Sequence, residues 1–189
     1  MHFLNNCVVY LIGFRGTGKY TVAKELQKIT KARLVDNHTI NNPIFMLHDV
    51  SKGIEDEVWE DVSKIRNIVF EHIKYHADLS NSFIFTNELF DNDEDDIDIY
   101  KTVLSLAKHR KATFFPVILH CDLEELLDRA QNKEREKLFK DTSVENIKNL
   151  YKAHQILIPD YTNTIELNIT ALSPNESATA IIEKIAELM

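Results

Sequence analysis

Glycine is scarce in this chain, four residues in 189, and three of the four are Gly13, Gly16 and Gly18. Proline is equally rare, with four residues, so there is no linker rich in Pro, Gly or Ser and no low-complexity tract. No internal repeat is present either, and the simplest parse is a single domain over residues 1–189. The two cysteines, Cys7 and Cys121, are too few and too far apart for a disulfide framework or a metal-binding pair, and read as buried neutral thiols. No apolar run is long enough to cross a bilayer. The opening residues Met1-His2-Phe3-Leu4-Asn5-Asn6 lack a basic region and a small-residue cleavage motif, so a cytoplasmic protein with no membrane partner is expected. Basic residues are outnumbered as well. Lys and Arg total 22 against 30 Asp and Glu, a net charge of −8 that argues against a nucleic-acid groove and for small-molecule partners.

What is present concentrates in one stretch, Cys7 to Ile29. An unbroken apolar run (Cys7, Val8, Val9, Tyr10, Leu11, Ile12) reads as a buried strand. It turns through Gly13-Phe14-Arg15-Gly16-Thr17-Gly18-Lys19 into a helix-period segment with Val22, Ala23, Leu26 and Ile29 on one face. Strand, glycine loop and helix are the context that gives the spacing Gly13-x4-Gly18-Lys19 a meaning, the wrapping of phosphates by backbone N–H groups. Residues without Cβ let the chain approach closely, and the helix that follows turns its unpaired N–H groups and positive dipole end to the anion. Lys19 is expected to bridge the β- and γ-phosphates. Gly13, Arg15, Gly16, Thr17, Gly18, Lys19, Tyr20 and Thr21 are the expected nucleotide-binding residues. One position departs from the pattern: the Ser or Thr whose hydroxyl ligates Mg²⁺ is replaced by Tyr20, followed by Thr21.

Beyond the loop, Ala32 to Asp36 reads as a second strand ending in a carboxylate, with Asn37 and His38 next. Ligands of open parallel sheets bind beyond the strands' carboxyl ends, which puts Asp36 on the same rim as the glycine loop, able to accept a hydroxyl proton or to cap the next helix. Asn42-Pro43 reads as the start of a short helix, and Ile54 to Ala77 as a long one, with Arg66 on it read as an anion contact or, more often, an ordinary surface side chain. His72 and His76 share a helical face without further ligands, and no metal-ligating set is assigned. Ser82 to Thr86 is the third strand, with Asn87 and Glu88 at its end; Asp91 to Asp98 holds six acids in eight residues and reads as a helix start. Thr113 to His120 is the fourth strand, in which Pro116 suggests an edge or a bulge. A helix from Asp122 leads into a polar, lid-like segment at about 129–141, where Arg129 and Arg135 are expected to meet the transferring phosphoryl group. Ser143 starts the next helix, which Ile158-Pro159 ends; Thr164 to Ile169 is the fifth strand, the Thr170 to Ser173 loop after it is expected near the glycine loop, within reach of a bound base, and Ser173-Pro174-Asn175-Glu176 is a capping box opening the last helix.

Five strands alternating with helices give an α/β fold. With the glycine loop on the first strand and paired arginines after the fourth, the chain resembles the nucleoside and nucleotide kinase-like group of P-loop proteins. Shikimate kinases and chloramphenicol-phosphotransferase-like kinases belong to that group. The resemblance implies a three-layer fold with a parallel sheet in the order 2-3-1-4-5, ATP as phosphoryl donor, Mg²⁺ as helper, and an acceptor held between Asp36 and the lid. The sequence departs from shikimate kinases in showing Val35-Asp36-Asn37-His38 where an Asp-x-Asp is expected, and Thr86-Asn87-Glu88 in place of a glycine triplet. The expected function is an ATP-dependent phosphotransferase acting on a small hydroxyl-bearing molecule, with Lys19, Asp36, Arg129 and Arg135 as catalytic residues. The alternative is a nucleotide-binding module without phosphotransfer, which Tyr20 favours.

Overall fold

A computed structural model of the chain describes residues 4–49, 53–131 and 142–189. Its organising element is strand β1 (Cys7–Ile12), buried at every position. A strand that reads as a continuous apolar run must be covered on both faces, and β1 is. Cys7, Val9 and Leu11 enter one core layer with Val22, Ala23 and Leu26 of helix α1 (Lys19–Thr30) and Ala178, Ile181 and Ile185 of the last helix. Val8, Tyr10 and Ile12 enter the opposite layer.

Around it the order is β2 (Arg33–Asp36), α2 (Asn37–Phe45), α3 (Asp56–Tyr75), β3 (Phe83–Asn87), α4 (Glu94–His109), β4 (Thr113–His120), α5 (Leu123–Ala130), α6 (Val144–Ala153), β5 (Ile165–Asn168) and α7 (Pro174–Leu188). The five strands form one parallel sheet in the order β2-β3-β1-β4-β5, as the resemblance implied. The register puts Ile12 opposite Asn87 and Asp36 opposite Thr86. Strand ends and the loops after them therefore share one rim, and no helix among the described residues is long and apolar enough to cross a membrane.

Three local expectations change. Asn42-Pro43 does not start α2: the helix begins at Asn37, because the Asp36 carboxylate caps it by accepting the His38 N–H at 3.2 Å, and Pro43 lies inside it. β4 is an interior strand between β1 and β5, and it tolerates Pro116 because the β5 ladder starts only at Val117, leaving Pro116 paired with β1 alone. Helix α6 ends at Ala153, short of the Ile158-Pro159 stop signal. The Ser173/Glu176 capping box forms as expected, with Glu176 Oε2 accepting the Ser173 N–H at 2.8 Å.

Candidate active site

The glycine loop joins the end of β1 to α1, and packing as well as conformation demands its glycines. Gly16 and Gly18 have φ of +90° and +102°. A Cβ on Gly13 would stand 2.7 Å from the Leu119 carbonyl, and one on Gly16 2.8 Å from that of Leu126. The loop is thus pressed between the end of β4 and helix α5. Thr17 Oγ1 donates to the Phe14 carbonyl at 2.6 Å and braces the turn from within. Helix α1 opens at Gly18, which makes no side-chain cap bond, and the positive end of its dipole lies at the cleft that Gly18 and Lys19 line. The Lys19 ammonium lies back across the loop, donating to the carbonyls of Gly13 (2.6 Å) and Phe14 (2.9 Å).

Facing the loop across the rim is Asp36, only 4% exposed. Thr86 Oγ1 donates to its Oδ1 at 2.5 Å, fixing the carboxylate from the neighbouring strand, and His38 Nδ1 lies 3.6 Å from Oδ2. Glu88, one residue past β3, is gripped by the loop itself. The Arg15 backbone N–H donates to Oε1 at 2.6 Å, while Nε and Nη2 donate to Oε2 at 2.8 and 2.5 Å. This pairing of loop arginine with strand-end carboxylate spans 73 residues, and sequence spacing gives no hint of it.

Arg66 is not the surface residue expected from its place on α3. It is half-buried and lines the cleft, and its Nε has no hydrogen-bond partner. Burial lowers its pKa, opposed by the neighbouring Tyr10 and Asp96. Asp96 belongs to the acidic run at the start of α4. Its Oδ2 accepts the Phe90 N–H at 2.8 Å, and burial, with the nearby carboxylates of Asp93, Glu88 and Asp95, pushes its pKa up to about 6.

On the other flank Arg129 ties three segments together. Its Nη1 donates to the Thr17 carbonyl at 2.9 Å, its Nη2 to the carbonyls of Ile169 and Thr170 at 3.0 Å, and its Nε to Glu125 at 2.7 Å. The glycine loop is thereby joined to the β5–α7 connection, whose Leu172 lines the same cleft. Arg135, and the lid-like segment beyond Gln131 as far as residue 141, lie outside the described residues.

Arg15, Gly16, Thr17, Gly18, Lys19, Tyr20, Thr21, Asp36 and Arg129 all line one cleft of about 1690 Å³. Gly13 lies beneath it, at the root of the loop. A volume of that order exceeds the few hundred to about 1,000 Å³ of a typical small-ligand pocket.

No protein-family model matches the sequence, and no curated protein matches it. Solved structures do match. A gluconokinase from Sinorhizobium meliloti superposes with a TM-score of 0.64 at 13% identity, over 98% of this chain and 94% of that one. The chain has a P-loop NTPase-like α/β fold. The shikimate kinase of Aquifex aeolicus (TM-score 0.53, 16% identity, 96% and 97% coverage) shares it. So does the Mycobacterium tuberculosis APS kinase in complex with AMPPNP and APS (TM-score 0.57, 13% identity, 97% and 99% coverage).

A P-loop fold raises the question of magnesium, and the donors near the loop do not fit an ion ligated by it. Where a Ser or Thr hydroxyl would be, Tyr20 carries a phenol at the end of a ring. Thr21 Oγ1 donates to the Gly18 carbonyl at 2.7 Å. Both strand-end carboxylates are engaged, Asp36 by Thr86 and His38 and Glu88 by Arg15. Among the described residues no three His, Cys, Asp or Glu side chains are gathered for a metal ion.

Proposed function

We propose that this chain is an ATP-dependent phosphotransferase acting on a hydroxyl group of a small molecule. The observation that carries the proposal is the buried Asp36 carboxylate, held by Thr86 on the rim that faces the glycine loop. A triphosphate laid on the loop amides and the α1 N-terminus draws Lys19 from the Gly13 and Phe14 carbonyls onto its β- and γ-phosphates. The acceptor hydroxyl lies against Asp36, which takes its proton as the oxygen bonds to the γ-phosphorus. The bond from that phosphorus to the bridging oxygen breaks, and ADP leaves. The carboxylate cannot swing away, because Thr86 Oγ1 and the His38 N–H hold one oxygen each. Arg129 keeps the loop in register with the 169–172 connection, where the base is expected. The APS kinase that holds AMPPNP and APS together supports a two-ligand use of the cleft.

The test is a coupled ADP-release screen over hydroxyl-bearing metabolites, with AMP-PNP calorimetry beside it. Asp36→Asn is expected to lower kcat by about 10²–10⁴-fold with AMP-PNP affinity retained. Lys19→Ala is expected to weaken AMP-PNP binding, and unchanged affinity in that variant would overturn the proposal. Tyr20 supports a second reading, nucleotide binding without transfer. Under it AMP-PNP binds, no acceptor releases ADP, and Tyr20→Ser creates turnover.

A further inference from the structure

A polyphosphate on the loop brings about four negative charges into a cleft whose wall already holds Asp36, Glu88, Asp93 and Asp96. Lys19 and the α1 N-terminus supply part of the compensation. The usual remainder comes from a divalent ion, and the loop's hydroxyl ligand for that ion is missing. Of the two guanidinium groups at the loop among the described residues, Arg129 has four of its five N–H groups on Glu125 and three backbone carbonyls.

Arg15 is placed differently. It belongs to the loop itself, and its guanidinium is paired with the Glu88 carboxylate through the bonds given above. Glu88 follows Asn87, whose carbonyl accepts the Gly13 N–H at 3.3 Å. The ion pair therefore stands between the loop, where a terminal phosphate would lie, and the rim that carries Asp36. It is also open to exchange, with 31% of the Arg15 side chain and 15% of the Glu88 side chain exposed. The Glu88 carboxylate, receiving a loop amide and a guanidinium at once, is bound the way an anionic phosphate oxygen is bound.

We propose that this protein binds its nucleotide without a magnesium ion, and that Arg15 transfers from Glu88 to the terminal phosphate and supplies the positive charge in the ion's place. The inference rests on the nucleotide-on-the-loop part of the function proposed above. Glu88 acts as an internal stand-in for the phosphate, so it competes with triphosphate more than with diphosphate.

The test is AMP-PNP and ADP calorimetry on the full chain, in excess magnesium and in excess EDTA. The wild-type AMP-PNP affinity is expected to agree between the two within about threefold. Arg15→Ala should lose about tenfold or more in EDTA, and Tyr20→Ser should gain about tenfold on adding magnesium. Glu88→Gln keeps a hydrogen-bonding side chain but removes the competing charge. It should tighten AMP-PNP several-fold while leaving ADP nearly unchanged, which a merely structural Arg15–Glu88 pair would not do. A wild-type affinity raised about tenfold or more by magnesium overturns the inference and leaves the phosphotransferase proposal standing. So does a folded Arg15→Ala variant, or a Glu88→Gln variant, with unaltered affinities. Absence of AMP-PNP binding under both conditions overturns both.

Discussion

Arg129→Ala tests whether the cleft depends on a single side chain that joins its two ends. In the native fold the guanidinium reaches Thr17, Ile169 and Thr170 carbonyls at 2.9, 3.0 and 3.0 Å and Glu125 at 2.7 Å. Hydrogen bonds to charged groups contribute about 1.5–3 kcal/mol each. The Arg129 side chain is 24% exposed, and screening brings the three carbonyl bonds to about 1 kcal/mol apiece, with the Glu125 pair adding little. The expected loss is therefore about 3 kcal/mol, a fall in Tm of roughly 6–12 °C for a chain of this size. Urea unfolding should show the lower midpoint with an unchanged m-value, since the native surface stays the same. AMP-PNP affinity should fall with it by about tenfold, because Thr17 and Thr170 are no longer held to one another. Arg129→Lys should recover a third of the stability at most, as an ammonium cannot span carbonyls from two segments. A variant within about 0.5 kcal/mol of wild type refutes the bridging role. A variant that is destabilised yet binds AMP-PNP normally refutes the link from bridge to site.

Two further outcomes follow from the same geometry. The pKa of Asp96, about 6 in the folded chain, exceeds the ordinary carboxylate value, so the folded state holds this proton more tightly than the unfolded state does. Its unfavourable contribution is fully present above about pH 6 and is relieved as the pH falls toward about 4; allowing for partial exposure it amounts to about 1–2 kcal/mol. Asp96→Asn should remove that slope in urea unfolding measured across the window, and raise stability near neutrality. Gly16→Ala forces a Cβ to within 2.8 Å of the Leu126 carbonyl at a φ of +90°, and should lower stability by about 1–3 kcal/mol in thermal unfolding and weaken AMP-PNP binding with it.

The frame of this molecule is written in local patterns. The apolar run of β1, the clustered glycines and the helix period of α1 each act within a few residues, and the alternation of strands and helices then restricts the topology. The place of Asp36 was legible for the same reason, since a carboxylate at a strand end must lie on the rim beyond the strands' carboxyl ends. Features that join distant segments were not legible. Arg15 meets Glu88 across 73 positions, and Arg129 meets Thr17 across 112. Arg110, at the end of α4, is 2% exposed and donates to the carbonyls of Ile73, Ala77, Asp78 and Asn81, closing off the end of α3. In sequence it is one more basic residue at a helix end, where a surface position is the ordinary case. The burial of Arg66 is not decided by the sequence either: periodicity locates the centre of the apolar stripe, and the flank of a helix beside a cleft looks the same as a flank beside water. The start of α2 was missed because one residue serves as both strand end and helix cap, and the Asn-Pro signal six positions on looked stronger.

Trp59 is the chain's single tryptophan, and it lines the cleft on α3. Its indole is packed edge-on against Phe45 at 5.2 Å, and the residue remains 43% exposed. Whatever displaces water from that wall changes the polarity around the one strong emitter in the molecule. Occupancy of the cleft can thus be followed by intrinsic fluorescence alone, with no label attached and before any product is known.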